Sequence, residues 1–283
     1  MAPNDETAVI IGLGQIGGSL AMALKKASYF KAIGGYDPNT DRLQKANDFL
    51  DFTYENLEEA MLKADLIILA APVLKNIQIL ERGFQTNPGK LFTDVGSTKA
   101  QILQESRKNH GIRFIAAHPF TGSEKAGDSG WDAMLFEGKP YFWVPENNQS
   151  DEDINCIVNM IKAIGAIPKA VDAEEHDRAL ALTSHLPILI SLGLAGLLEG
   201  NAASIDFVGS GFLSTARLAG GSAEMGKDIL ISNREAVLTE MTRFNEKIAA
   251  LVNSLKNSND NQLLELIKRY RRNYLTIFRQ QDL

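Results

Sequence analysis

The apolar positions of this chain follow two rhythms. As far as about residue 171, short apolar runs alternate with stretches in which apolar residues recur every three or four positions. The runs predict strands over Ala8–Leu13, Ala32–Tyr36, Leu66–Ala70, Leu91–Val95, Arg113–Ala117 and Tyr141–Val144, with helices between most of them. A helix over Asp151–Ile164 and a short strand over Ala166–Val171 close this half. Such alternation predicts an α/β domain, residues 1–172, with a largely parallel sheet covered by helices on both faces. From Asp172 only the helical spacing persists. Asp172-Ala-Glu-Glu175 has the spacing of a capping box, and Ser232-Asn-Arg-Glu235 repeats it. Apolar residues then recur at Val237, Met241, Phe244, Ile248, Leu251 and Leu255, a seam of the coiled-coil type. Asp260 is placed to cap a last helix bearing Leu263, Leu264, Ile267, Tyr274 and Phe278. Residues 173–283 thus read as an all-α helical domain. Its seam must bury itself against other helices, of this chain or of a second copy.

The first apolar run leads straight into Gly12-Leu-Gly14-Gln15-Ile16-Gly17, and a helical pattern follows. That strand–turn–helix setting turns a weak glycine motif into a dinucleotide-binding fingerprint, so the sheet domain reads as Rossmann-type. Gly12 permits the tight turn, Gly14 lets a pyrophosphate approach the backbone, and Gly17 lets helix and strand pack closely. The free N–H groups and positive end of the helix favour the phosphates. The second run ends in Asp37, where a carboxylate accepts the ribose hydroxyls of NAD and repels a 2′-phosphate. Arg42 is a nearby cation that works against strict selectivity and leaves NADP open as a second cofactor. Ligands bind such sheets at the carboxyl ends of the strands, which here bring Asp37, Pro72, Ser97 and His118 together. Gln15, Ile16 and Pro72 complete the expected cofactor contacts.

Composition narrows the function further. A net charge of −6 with no block of five like charges argues against a nucleic-acid partner. The basic run Lys268-Arg269-Tyr270-Arg271-Arg272 reads as a solvated helix face. The N-terminus lacks the basic region of a signal peptide. The longest apolar stretch, Leu186–Leu198, is too short for a bilayer, which needs about 20 residues. A lone cysteine, Cys156, suits the reducing cytoplasm. The four histidines lack the companion ligands of a zinc site, so no metal is expected.

Candidate chemistry lies in four motifs. They are Asp94-Val-Gly-Ser97-Thr-Lys99, His118-Pro-Phe-Thr-Gly-Ser-Glu124, His176-Asp177 leading to Ser184-His185-Leu186-Pro187, and Gly211-Phe212 before Thr215-Ala-Arg217. Together they resemble the prephenate/arogenate dehydrogenase family of tyrosine biosynthesis, over nearly the whole chain. The resemblance implies an NAD-dependent oxidative decarboxylation of prephenate to 4-hydroxyphenylpyruvate, carried out by a cytoplasmic homodimer joined through the helical domain. His118 aligns with the family's catalytic histidine, and neutral histidine suits removal of a hydroxyl proton near neutral pH. Ser97 aligns with a serine that orients this histidine and contacts the cofactor. Arg217 aligns with an arginine that holds a substrate carboxylate, a task its planar fork suits. Glu124 falls at an acidic position found in some members, with an implied part in gating the pocket. His185 divides evenly between packing and lining the substrate pocket. His176 reads as a support for domain packing beside Asp177, and His110 as the exposed end of a helix. On a uniform helix His176 and His185 fall on roughly opposite faces.

Departures from the family pattern bear on the substrate. Ile188 stands where many prephenate-using members carry a second histidine, and an apolar residue there also occurs in arogenate-specific members. Leu213 replaces a common arginine, and Gly226 an aromatic residue. Arogenate, the amino analogue, is therefore the alternative substrate, and an amino-prephenate substrate is also open. Other readings of the architecture are a β-hydroxyacid dehydrogenase or imine reductase, which lack the strand-end histidine, and a non-catalytic NAD sensor.

Overall fold

The computed structural model describes residues 6–87, 89–108, 113–121 and 127–281. The chain opens with β1 (Thr7–Ile11), α1 (Gln15–Ala27), β2 (Ala32–Tyr36) and α2 (Thr40–Ala46). Next come β3 (Phe52–Tyr54), α3 (Leu57–Lys63), β4 (Leu66–Leu69), α4 (Val73–Thr86), β5 (Leu91–Asp94) and α5 (Ala100–Arg107). β6 (Arg113–Ile115) completes a six-stranded sheet of order β3-β2-β1-β4-β5-β6, every pair parallel. Its central strands are apolar on both faces, as a doubly covered parallel sheet requires. Along β1, Ala8 and Ile10 join one core with Leu20 and Leu24 of α1, while Val9 and Ile11 join the other with Leu80 and Phe84 of α4. β3 has no counterpart among the sequence-predicted strands. It is a three-residue edge strand whose Phe52 is exposed, too short to leave a periodic signal.

The strand expected over Arg113–Ala117 is two strands. β6 ends at Ile115, and β7 (Ala117–Pro119) leaves the parallel sheet. It pairs antiparallel with β8 (Pro140–Trp143), which pairs parallel with β9 (Ile167–Ala170) after α6 (Asp151–Ala163). At the switch the Ala117 N–H donates to the carboxylate of Asp94, the last residue of β5, at 3.0 Å. His118 consequently lies within a strand, opposite Phe142, rather than after one.

Beyond the sheets the chain is helical. α7 (Ala173–Leu180) is capped by Asp172, which accepts from the Glu175 N–H at 2.9 Å as the capping box predicts. It runs through a π turn (Ala181–His185) into α8 (Leu186–Gly196). The 24-residue helix is longer than the apolar stretch in the sequence, and an 18-residue window of it has mean hydropathy 1.6. Length and composition alone would suit a bilayer. Its buried His176, Asp177, His185 and Ser191 nevertheless all bond to protein groups, the signature of a helix packed within protein. There follow α9 (Ala202–Ile205), α10 (Ser210–Ala216), a 3₁₀ turn (Arg217–Gly220), α11 (Ala223–Ser232), α12 (Arg234–Lys256) and α13 (Asp260–Gln281).

Two expected caps are corrected. Ser232 ends α11 instead of opening a helix: its hydroxyl donates to the Ile229 carbonyl and accepts from the Thr98 hydroxyl at 2.9 Å. α13 is capped by Asn259, whose Oδ1 accepts from the Gln262 N–H at 3.1 Å, not by Asp260. The chain divides into two compact units, Met1–Arg234 and Glu235–Leu283. Of the expected seam in α12, Val237 is buried while Ile248 and Leu255 are exposed.

Candidate active site

The glycine turn has the geometry of a phosphate cradle. Gly12 has φ +100°, and a Cβ there would lie 2.7 Å from the Ala70 carbonyl carbon. A Cβ on Gly17 would lie 1.9 Å from the Gly12 oxygen, so only glycine lets α1 approach the turn. Gly14 is different: it faces open space and caps α1 with no side-chain acceptor for the helix's first N–H groups. An anion fits that opening. Gln15 and Ile16, both half-buried, begin α1, and Pro72 precedes α4 at the end of β4.

Asp37 is buried just beyond β2 and anchors the turn, accepting from the Leu13 N–H at 2.7 Å and the Asn39 N–H at 2.9 Å. Arg42 reaches both its oxygens. Two residues that sequence reasoning passed over hold the same region. Trp131 donates its indole N–H to the carbonyls of Leu13 and Gly14, at 3.0 and 3.1 Å. Buried Asn76 accepts from the Ala71 N–H and donates to the Leu69 carbonyl, fixing the exit of β4. No local pattern marks either one, since both act through partners distant in sequence or hidden by a turn.

Around His118 the structure assembles a buried polar cluster. Lys99, fully buried, donates to Asp94 at 2.5 Å and to the Ala117 carbonyl at 2.6 Å. Asp94 also accepts from the backbone of Gly96 and Ala117. Burial acts to raise the Asp94 pKa and lower that of Lys99, while their mutual contact opposes both shifts. Together they clamp the chain one residue before His118. The His118 Nδ1 lies 3.0 Å from Nε2 of His176, and His176 Nδ1 lies 2.8 Å from Asp177 Oδ1. Asp177 accepts from the backbone N–H groups of Lys99 and Ala100 at the start of α5. Phe120 meets the His118 ring edge-on, and Phe142 meets that of His176. Burial first, then His176, Lys99 and His185, push the His118 pKa well below the ordinary histidine value, so the ring is neutral at pH 7.

His185 belongs to the same neighbourhood. Asn233 donates its side-chain amide to the Asp177 carbonyl at 2.7 Å and to His185 Nδ1 at 3.0 Å. Burial holds the His185 pKa down, to about 4. The opposite-face expectation for His176 and His185 fails because of the π turn. A uniform helix sets positions nine apart about 180° from each other. The extra residue of a π turn takes back about 100°, leaving them about 80° apart. The His176-Asp177 pair was visible in the sequence, but its link to His118 was not.

The remaining sequence-predicted residues lie on adjoining elements. Ser97 is half-buried in the loop after β5. Ile188 is half-buried on α8, against which the Arg217–Gly220 turn packs, and Arg217 is exposed at the start of that turn. The Ser191 hydroxyl ties α8 to α10 through the Thr215 carbonyl at 2.9 Å. Glu124 and His110 fall outside the described residues.

A phosphate cradle after β1 and a buried histidine within β7 fit one class, the dinucleotide-dependent oxidoreductases of Rossmann type. The family model for the prephenate dehydrogenase nucleotide-binding domain matches residues 20–168, and that for its dimerization domain matches residues 172–269. The chain is 30% identical over 250 residues to a prephenate dehydrogenase of Lactococcus lactis, covering 85% of this chain and 68% of that one. It is 29% identical to a cyclohexadienyl dehydrogenase of Zymomonas mobilis, over 92% of each. The crystal structure of prephenate dehydrogenase from Aquifex aeolicus, in complex with hydroxyphenyl propionate and NAD+, shares the fold. Its TM-score is 0.88 at 24% identity, over 96% of this chain and 98% of that one. The chain belongs to the prephenate dehydrogenase family. It is an NAD-dependent oxidoreductase, which sets aside the non-catalytic sensor.

Proposed function

We propose that this chain oxidatively decarboxylates prephenate to 4-hydroxyphenylpyruvate in L-tyrosine biosynthesis. The observation that carries the reading is the neutral, buried ring of His118, held at the strand switch beside the nucleotide-binding face. NAD supplies a hydride acceptor. His118 accepts the proton of the ring hydroxyl at Nε2, since Nδ1 is engaged by His176. As the carbinol C–H leaves as hydride, the bond from the ring to its carboxylate breaks. Carbon dioxide departs, the released electron pair completes the aromatic ring, and the proton held at His118 Nε2 returns to the ring oxygen to give the phenol. Ser97 orients His118 and contacts the cofactor. Arg217 holds a substrate carboxylate, and Glu124 gates the pocket. His185 accepts from Asn233 at Nδ1, so as a neutral ring its Nε2 carries the proton and can donate to substrate.

Ile188 favours a second reading, arogenate as substrate, because an apolar residue there removes a hydrogen-bonding partner near the substrate side chain. The proposed domain division at 172/173 is supported by the matched family models, over residues 20–168 and 172–269, although compactness divides the chain at Arg234. A homodimer through the helical domain would cover apolar residues that one chain leaves exposed, among them Phe207, Leu213, Ile248 and Leu255. The single cysteine suits work in the cytoplasm.

The test is absorbance of reduced nicotinamide with prephenate or arogenate, each with NAD or NADP. Turnover of prephenate supports the proposal and turnover of arogenate alone selects the second reading. No turnover in any mixture, from folded protein that binds NAD, overturns both.

A further inference from the structure

The hydrogen bonds behind His118 run in one direction. Asp177 accepts at both oxygens from the Lys99 and Ala100 N–H groups, at 2.8–3.1 Å, on the positive end of α5. These two N–H groups make three contacts and engage the carboxylate as an acceptor at both oxygens. The proton between His176 and Asp177 therefore sits on His176 Nδ1, 2.8 Å from Oδ1. A neutral His176 then offers only a lone pair at Nε2. The contact at 3.0 Å must be filled by a proton on His118 Nδ1. That leaves the lone pair of His118 on Nε2.

We propose that His176 and Asp177 are positioning residues that fix the tautomer of His118, making Nε2 the basic atom, and that stabilise its imidazolium when a proton arrives. The inference deepens the reading of His118 as the base and rests on it. It assigns to His176 a role that domain packing does not require. The logic is that of a carboxylate orienting a catalytic imidazole, with one more imidazole in the line. When Nε2 takes the substrate proton, Nδ1–H stays on His118 and continues to donate to His176. No second proton transfer is needed, and the new positive charge faces the Asp177 carboxylate through one ring. Protonation of His176 would reverse the line: its Nε2–H would donate to His118 Nδ1, and the proton of His118 would sit on Nε2. Among the described residues, the other titratable groups that act on the His118 ring are Lys99, itself paired with Asp94, and His185 of the π turn. Phe120 and Phe142 supply apolar faces.

The experiment is ¹⁵N NMR of the histidine rings in the wild-type protein and in Asp177→Asn, with steady-state kinetics on both. The wild type is expected to show His118 protonated at Nδ1. In Asp177→Asn the amide oxygen serves the two backbone donors and its NH₂ faces His176, which turns both rings to the opposite tautomer. The expected kcat loss is about 10²–10⁴-fold with KM within about threefold, the pattern of a misoriented base. His176→Gln, whose carbonyl can accept from His118 Nδ1–H, should keep at least about tenfold more kcat than His176→Phe. A wild-type His118 protonated at Nε2 overturns the proposal. So do equal rates for the Gln and Phe variants, or a soluble Asp177→Asn with unchanged kcat and pH profile. His118→Asn separates the two readings. If it is inactive while Asp177→Asn is fully active, only the relay fails; if it is fully active, the base assignment itself fails.

Discussion

Arg42 meets both carboxylate oxygens of Asp37, at 3.1 and 3.0 Å, while the same carboxylate holds the Leu13 N–H of the glycine turn. The carboxylate expected to repel a 2′-phosphate thus also restrains the cation that could bind one. Asp37→Asn removes the charge, keeps an acceptor for Leu13 and frees Arg42. A charge-assisted hydrogen bond contributes about 1.5–3 kcal/mol, so the NADP-to-NAD ratio of kcat/KM should rise about 10- to 100-fold. A ratio that does not move would remove Arg42 from cofactor selection.

Gly14 and Gly17 should separate binding from folding. Gly17→Ala forces a Cβ against the Gly12 carbonyl, which is backbone and cannot step aside. Overpacking of this kind costs about 1–3 kcal/mol, a fall in Tm of several degrees for a chain this size. Gly14→Ala meets open space at an ordinary φ of −62°. Its Tm should stay within about a degree while NAD affinity falls at least about tenfold, because the added methyl occupies the approach to the phosphates. Thermal melts with and without NAD read both effects, and equal melts for the two variants would contradict this division.

Acid stability should depend on His185. Its folded pKa, about 4, lies below the ordinary value near 6.5, so the unfolded state binds the proton more readily. Stability from the neutral ring is complete above pH 6.5 and is lost as the pH falls toward 4, up to about 3 kcal/mol. His118, also held low, adds loss in the same direction. Urea melts of wild type and His185→Gln should converge as pH drops from 7 to 4.5. Parallel curves would show that His185 does not titrate over this range.

Arg217 and Ile188 test the substrate side. Arg217→Ala should raise KM for the substrate at least about tenfold with kcat changed less than about threefold, as for loss of uniform binding. Ile188→His should shift the prephenate-to-arogenate ratio of kcat/KM toward prephenate by about 10-fold, the scale of one pocket contact. An unchanged KM for the first variant, or an unchanged ratio for the second, removes that residue from substrate recognition.

Much of this molecule was legible before any contact was known. Strands β1, β2, β4 and β5 are apolar enough to be buried on both faces, and the Asp172 cap lies within one turn of its helix. The glycine turn announces itself because its spacing is local: Gly17 must meet the Gly12 oxygen five residues earlier, although the bar to a side chain at Gly12 comes from distant Ala70. Such features belong to the sequence, since the interactions that enforce them span a few residues or follow a fixed period.

The tertiary structure decided the rest. β7 leaves the sheet where Asp94, 23 residues earlier, takes its first N–H. The π turn brings His185 round toward His176, which no uniform periodicity could foresee. His176 becomes the partner of His118 across 58 residues of chain, and Asp177 meets the start of α5 across 78. Sequence determined which residues could carry a proton; only the folded backbone, which satisfies buried donors and acceptors wherever they come together, decided which nitrogen of His118 meets His176.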